Sequence, residues 1–518
     1  MYRHLIDLVE HLGHPRIGVV GDLMLDQYVY GDAERISPEA PIQVLKVASK
    51  VEQFGLGGAG SVANNLRTLG AEVAVFGVCG GWPAGRGEQL KGRLEQAGVD
   101  IRGIDTLGDR ATTLKVRFVG RAQRHILQQV LRVDWEDTTP IPPACERRLL
   151  ARIRKRLPGC GAVVISDYEK GVVTETICRE TITQARKLGI PVLVDPHPSA
   201  NYAKYKGATV CTPNRYETEL ATHIHLTDEA SLNRAARRLQ KGLDLAAVHI
   251  TLDKEGAYLL EKGRPGQLVP ARPRQVYDNA GAGDMVVAVM ALVIAAGRPL
   301  PDAARLANVA GGLEVEKFGV QPVTREEMIA DLLGEARRGG DKVCTAENLM
   351  LDLGRHRGLS QTVVFTNGCF DVLHAGHIAF LEAASRQGDV LVVGLNTDRS
   401  VRAIKGPGRP VCSQEERARV LAALEVVDYI ALFDGETPQK LIEAIRPDVL
   451  VKGEDWRAKG VVGREFVESH GGRVVLLPLV KGISTTQLVE RIRNGTAAAP
   501  SRSSPACGGR SRRKGGRP

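Results

Sequence analysis

The sequence predicts an α/β chain of two units in tandem, each an open, mostly parallel sheet, and three observations carry that prediction. Apolar, β-branched runs at 17–20, 73–78, 162–165, 192–194 and 248–252, then at 362–365, 390–394 and 449–451, alternate with helix-period segments. Such alternation is the pattern of parallel strands joined by helices. A chain of 518 residues exceeds what one hydrophobic core usually holds. Each half also contains a turn rich in small residues directly before a helix pattern, at 278–284 and at 366–377.

Composition narrows the function classes. Basic residues exceed acidic ones by ten, but the segment after Asn494 holds six basic residues and no acid, leaving a body of net charge +4. That balance and an aromatic content of 4% argue against a nucleic-acid binder. Nine cysteines without a Cys-x-x-Cys pair fit a reducing, cytoplasmic compartment. Asp7 and Glu10 interrupt the first twelve residues, which read as an amphipathic helix rather than a signal peptide. The longest apolar run, 285–296, is twelve residues, well short of the roughly 20 a membrane span needs. No membrane partner is expected.

In the first half, the run 17–20 ends in Gly21-Asp22 with Asp26 close behind. Two carboxylates at the carboxyl end of a strand sit where open α/β sheets bind ligands, and they suit sugar hydroxyls. Asp22 equally suits a helix or turn cap. Residues 55–60 formally match G-x-G-x-x-G, yet they do not open the first strand-helix unit, so a dinucleotide site is rejected. Gly57 and Gly58, before a helix running to about Leu69 and carrying Asn65, instead let backbone approach a sugar closely. Lys115, Arg117 and Arg132 lie on an alternating stretch that reads as a solvated face, with sugar-phosphate anchors the other reading. The run Asp278-Asn279-Ala280-Gly281-Ala282-Gly283-Asp284 makes an anion-binding nest at a helix start, unless it is only a capped helix. At the lip of that nest Asp284 is placed to take a proton from an attacking hydroxyl.

After 318–320 the pattern is expected to fade into a polar junction at 334–342, separating a unit of residues 1–335 from one of 340–494. The second unit opens with Thr366, Asn367, Gly368, Phe370 and Asp371 before a helix start carrying His374 and His377, three apart and on one face. Two imidazoles beside free N–H groups suit a phosphate. A zinc site needs about four ligands, and no second cluster stands at ligand spacing. Asn396 and Asp398 follow the next strand, Lys405 and Arg409 lie in a basic glycine loop, and Lys452 and Asp455 follow the run 449–451. Ser484, Thr485 and Thr486 precede a last helix that Ser484 would cap, and 495–518 lacks apolar periodicity and should be disordered.

These motifs carry resemblances. Gly57-Gly58 with Gly281-Ala282-Gly283-Asp284 resembles the ribokinase-like sugar kinases, and Asn214-Arg215-Tyr216-Glu217 resembles that family's Asn-x-x-Glu element. The resemblance implies a doubly wound sheet with a small β lid, and a nucleotide site of Asn214, Arg215, Tyr216, Glu217, Gly281, Ala282 and Gly283. Asp167 to Gly171 and Arg35 to Pro41 look like the heptose-phosphate kinase branch, from which Ser61, Ala280 and His197 depart. His374-Ala-Gly-His377 resembles the nucleotidyltransferases, a Rossmann-like fold in which the pair steadies the α-phosphate and the residues from Thr366 to Thr486 named above line the nucleotide site. Together the halves are similar to the bifunctional heptose 7-phosphate kinase/heptose 1-phosphate adenylyltransferases of lipopolysaccharide core synthesis. That implies ATP and Mg²⁺ for both halves, no direct protein ligand to the metal, heptose phosphates as substrates, and a homodimer.

Overall fold

A computed structural model describes residues 2–82, 85–122, 126–198, 201–278, 280–338 and 342–478. The chain divides into two compact units, Met1–Leu333 and Gly334–Pro518. Ser484, Thr485, Thr486 and the basic tail lie outside the described residues.

The first unit's strands are β1 (Arg16–Gly21), β2 (Leu23–Ile36), β3 (Gln43–Gly58), β4 (Glu72–Trp82), β5 (Asp100–Ala111), β6 (Thr113–Ala122), β7 (Ile126–Trp135), β8 (Ala162–Ser166), β9 (Val192–Asp195), β10 (Val210–Cys211), β11 (Ala247–Thr251), β12 (Gly256–Glu261) and β13 (Gln267–Pro270). Nine of them form one sheet in the order β13-β12-β11-β10-β9-β8-β1-β4-β5, parallel except at the β11-β12 and β12-β13 pairings. The apolar runs read from sequence are its centre: β1 and β8 are buried along nearly their whole length because helices cover both faces. The twelve-residue apolar run belongs to the helix Ala282–Ala295, buried from Asp284 to Val293, as expected of a helix apolar all round.

The other four strands form a lid in the order β3-β2-β6-β7. Their charges hide them from hydrophobic pattern-reading, because one lid face carries Asp26, Lys115, Arg117, Arg132 and Asp134 on neighbouring strands. Nor does the helical pattern fade after residue 320. The helix Arg325–Arg338 continues it, with Met328, Leu332 and Leu333 buried.

The second unit is a sheet of six parallel strands, β14 (Val343–Cys344), β15 (Val363–Gly368), β16 (Val390–Asn396), β17 (Tyr429–Phe433), β18 (Val449–Gly453) and β19 (Arg473–Leu477), in the order β14-β17-β16-β15-β18-β19. Neighbours along a strand point to opposite faces, so Val363 and Phe365 join one core while Val364 joins the other. The order reverses between β15 and β18, the switch point where such sheets bind ligands. The carboxyl ends of those strands hold Asn367 and Lys452.

Candidate active sites

In the first unit the site is built around a buried carboxylate. Gly281 takes φ 95°, and a Cβ there would stand 2.6 Å from Glu314 Oε1, so only glycine fits the turn that starts the Ala282–Ala295 helix. A Cβ on Gly283 would meet nothing within 4 Å, which leaves open space over the helix N-terminus. Asp284, in that first turn, accepts a hydrogen bond from the Tyr168 hydroxyl at 2.9 Å. Burial pushes its carboxyl up to about 7, with Asp26 adding to the rise and the Tyr168 and Ser61 hydroxyls and Lys115 opposing it. A base with a pKa near the operating pH is well matched to proton transfer. Glu314, behind the nest, is pushed up to about 9, chiefly by burial. It is therefore uncharged at neutral pH and does not cancel the positive helix end.

Asp22 is buried and bonded to backbone. Its two carboxylate oxygens accept the N–H groups of Tyr168, Lys170 and Val172 at 2.8, 3.1 and 3.1 Å. This makes Asp22 an anchor for the loop after β8, a role that neither the sugar reading nor the local helix- or turn-cap reading described. Asp26 is hydrogen-bonded to Arg117 at 2.5 Å. Gly57 and Gly58 lack side chains because the strands close on them: a Cβ on Gly57 would stand 2.7 Å from Asp26 Oδ2, and one on Gly58 2.6 Å from Met24. Strand packing by itself therefore requires glycine at both positions. Asn65 is 1% exposed with its Nδ2 unpartnered, a buried donor awaiting an acceptor.

Asn214 and Glu217 form a reciprocal capping box on the helix Arg215–Thr222. Arg215 pairs with Glu255 at 2.9 Å, and Tyr216 is exposed. The box fixes Glu217, whose carboxyl burial pushes up to about 7. Asp195, at the end of β9, is raised first by burial and then by Glu217 and Asp284. Sequence reasoning did not name Asp195, Tyr168 or Glu314 as site residues. Asp195-Pro196 and the Asp167 to Gly171 run were the available signals. Arg117 and Lys115 are not a solvated face: Arg117 is buried on Asp26, and Lys115 lies over the Tyr168 ring, 5.0 Å from its centroid. Arg132 bonds Asp134 at 3.0 Å. His197 pairs with Glu169 at 3.2 Å.

In the second unit His374 is the N-cap of the helix Ala375–Ser385, and its ring stacks on that of His377 with centroids 3.8 Å apart. Phe370 meets His377 edge-on at 5.3 Å. Burial lowers both imidazoles, and His377, further lowered by His374 and Lys405, falls to about 4. Both Nδ1 atoms are buried without partners. An anion placed against the two rings would favour their protonated forms. Asn367 Oδ1 accepts from the Lys452 ammonium, which burial lowers to about 8 and which lies 5.1 Å from the Trp456 ring centroid. Asp455 is exposed nearby and raises the Lys452 value.

Three residues expected on the nucleotide are instead engaged with protein. Asp371 accepts from Arg409, Val411 N–H and Cys412 N–H at 2.6, 2.6 and 3.2 Å. Asp398 accepts from Arg417 at 2.6 Å, and Asn396 donates to Ser400 at 2.8 Å. Each holds the loops around the histidines, so each shapes the site from behind. Thr366 is buried with its hydroxyl unpartnered, Gly368 ends β15, and Lys405 is exposed at the end of the helix Asp398–Lys405. Arg417, unnoticed in sequence, bonds the carbonyls of Cys369, Asn396 and Cys412.

Residues 15–327 match the family model of pfkB family carbohydrate kinases, and residues 365–491 match that of cytidylyltransferase-like proteins. The bifunctional protein HldE of Geobacter sulfurreducens is 45% identical, with 95% of this chain and 98% of that protein covered. The chain belongs to the bifunctional HldE family. The HldE proteins of Methylobacillus flagellatus and Wolinella succinogenes are 43% and 44% identical, covering 95% and 92% of this chain and 100% and 98% of theirs. Escherichia coli phosphofructokinase-2, solved with substrates and products, shares the fold of the first unit at 21% identity and a TM-score of 0.52, over 61% of this chain and 99% of that one. As an HldE protein the chain is a bifunctional transferase, with an ATP-using sugar kinase half and a nucleotidyltransferase-like half.

Two pH measurements check these sites. For sugar phosphorylation, kcat/KM should fall as pH drops through about 7, because Asp284 must be charged to act as base. Tyr168→Phe removes a donor that favours the charged carboxylate, so its acid limb should move to higher pH; an unmoved limb near pH 4 would contradict this. Proton NMR of His377 should show a midpoint near 4 in the free protein, shifting upward when a nucleoside triphosphate binds. A midpoint near 6.5 that ignores nucleotide would contradict the phosphate role.

Proposed function

We propose that residues 1–335 transfer the γ-phosphoryl group of ATP to the anomeric hydroxyl of D-glycero-β-D-manno-heptose 7-phosphate, and that residues 340–494 transfer AMP from ATP to the derived heptose 1-phosphate, releasing pyrophosphate. The observation that carries this reading is the pairing, in one HldE-family chain, of a carboxylate base beside a small-residue nest with a stacked histidine pair at a helix start. ADP-heptose so formed would feed lipopolysaccharide core synthesis in the cytoplasm. The kinase product retains its 7-phosphate, so a phosphatase step must intervene between the halves.

In the kinase half, Asp284 takes the hydroxyl proton as that oxygen attacks the phosphoryl group resting on the nest. After burial, Glu217 and Asp284 add to the rise of the Asp195 carboxyl, a concentration of negative charge that a cation carried in with the nucleotide would relieve. Mg²⁺ would be held mostly by phosphates and water, with Asp195 and Glu217 on its hydration shell. When bound it neutralises charge on the phosphates. In the second half, His374 and His377 receive the α-phosphate, Lys452 adds a cation, and Asn367 orients that lysine.

A homodimer is part of the proposal. Ile36, Ile42, Val47, Leu127 and Leu131 of the lid region are exposed apolar side chains, and such a concentration favours burial against a second copy. A cytidylyl rather than adenylyl donor is the second reading, favoured by the cytidylyltransferase-like family match.

Assay of the full chain with heptose 7-phosphate and ATP, and then with heptose 1-phosphate and each nucleoside triphosphate, tests the proposal. It predicts heptose 1,7-bisphosphate in the first case, and pyrophosphate release with ATP well above CTP in the second. Preference for CTP, or another sugar phosphate used far better, would replace it.

A further inference from the structure

The nest that starts the helix Ala282–Ala295 has a carboxyl group close behind it. Glu314 ends the next helix, Leu300–Glu314, which packs along the first. It is 1% exposed, and among the described residues both of its carboxyl oxygens are buried without a hydrogen-bond partner. Gly281 admits it, since a Cβ there would stand 2.6 Å from Oε1. Three charged groups act on Glu314, and each is bonded elsewhere. Asp284 accepts from Tyr168 at 2.9 Å, and Asp278 accepts from the N–H groups of Ala280 and Gly319 at 3.0 and 3.2 Å. Lys317 pairs with Glu327 at 2.7 Å and donates to the Pro322 carbonyl at 2.9 Å. Burial raises the Glu314 carboxyl most, Asp284 and Asp278 add to the rise, and Lys317 opposes it.

A helix N-terminus carries roughly half a positive elementary charge, whereas an ionised carboxylate carries a full negative one. Ionisation of Glu314 therefore reverses the sign of the field at the nest, in a buried place where charges are weakly screened. We propose that Glu314 is a positioning residue for phosphoryl transfer that acts by staying protonated: the neutral acid leaves the nest attractive to the phosphoryl group, and its ionisation repels that group and shuts off the kinase half at alkaline pH. The coupling is reciprocal. An anion on the nest makes a second negative charge harder to form, so bound nucleotide holds the proton on Glu314 more tightly. Asp284 needs the opposite state, charged, to act as base. The two carboxyls thus bracket a working range, Asp284 opening it near pH 7 and Glu314 closing it near pH 9. This inference rests on the proposed placement of the transferred phosphoryl group on the nest.

The test follows sugar phosphorylation by the full-length protein from about pH 6 to 10, in wild type, Glu314→Gln and Glu314→Leu, each profile scaled to its own maximum. Wild-type kcat/KM for ATP should fall about tenfold per pH unit above about 9. The corresponding limb of kcat, at saturating ATP, should lie at higher pH. Both variants should keep the acid limb set by Asp284 and lose the basic one; the leucine variant, with no ionisable group, decides should the glutamine variant not fold. Melting supplies a second readout. A carboxyl whose folded pKa is raised favours the fold only while protonated, so wild type should lose melting temperature relative to Glu314→Gln between about pH 5 and 9, and no further above that. A basic limb unmoved in the variants, or a wild-type profile flat to pH 10, would overturn the proposal, the first by giving the limb to another group. If melting then still responds to Glu314, the failure lies in the placement of the phosphoryl group; if melting does not respond either, it lies in the titration of Glu314. A wild type that ignores heptose 7-phosphate would defeat the heptose reading alone. Binding of ATP without sugar, followed by calorimetry over the same range, then decides: wild-type affinity should fall above pH 9 relative to Glu314→Gln, and identical pH dependence in the two proteins would overturn the proposal.

Discussion

The kinase site depends on one buried carboxylate that does no chemistry. Asp22 gathers three backbone N–H groups from the loop after β8, and that loop sets Tyr168 between Asp284 and Lys115. Burial and the neighbouring Asp167 push the Asp22 carboxyl up to about 6, and the three N–H groups work against that rise. An anion this deep is tolerable because it is so fully hydrogen-bonded. Its position at the end of β1, where the strand order reverses, ties the loop geometry to the sheet itself.

The second unit solves the same problem with a cation. Arg417 is among the largest fully buried side chains, and it spends its donors on three carbonyls and Asp398. Asp371 does the complementary work, gripping the loop at 409–412. Between them they fix the approach to the histidine pair, so the imidazoles can stay stacked and neutral until an anion arrives. In each unit a carboxylate singled out in sequence, Asp22 in the first and Asp371 in the second, is bonded to the backbone of a loop beside the site.

This explains which features were legible. Strands such as β1, β8 and β15 announce themselves through runs of apolar residues, and the phosphate sites through small residues next to a helix start, because both signals are local. The role of Asp22 was not legible, since its partner Tyr168 lies 146 residues away, nor was the Asn367–Lys452 contact, 85 residues apart. Lys115 and Arg117 read as a solvated face because alternation reports which side of a strand a residue occupies, not what covers that side. Asp371 and Asp398 were assigned to the nucleotide because a carboxylate beside a phosphate motif looks the same in sequence whether it faces ligand or loop.

The central claim is that one chain holds two complete and chemically independent sites, and measuring both half-reactions in full-length single variants tests it most directly. Asp284→Asn should cut sugar phosphorylation by ~10²- to 10⁴-fold, the usual worth of a general base, with nucleotidyl transfer at the wild-type rate. His377→Ala should cut nucleotidyl transfer by roughly 10²-fold or more, as loss of a transition-state donor does, with sugar phosphorylation unchanged. Loss of both reactions in either variant, in protein that melts at the wild-type temperature, would contradict the account.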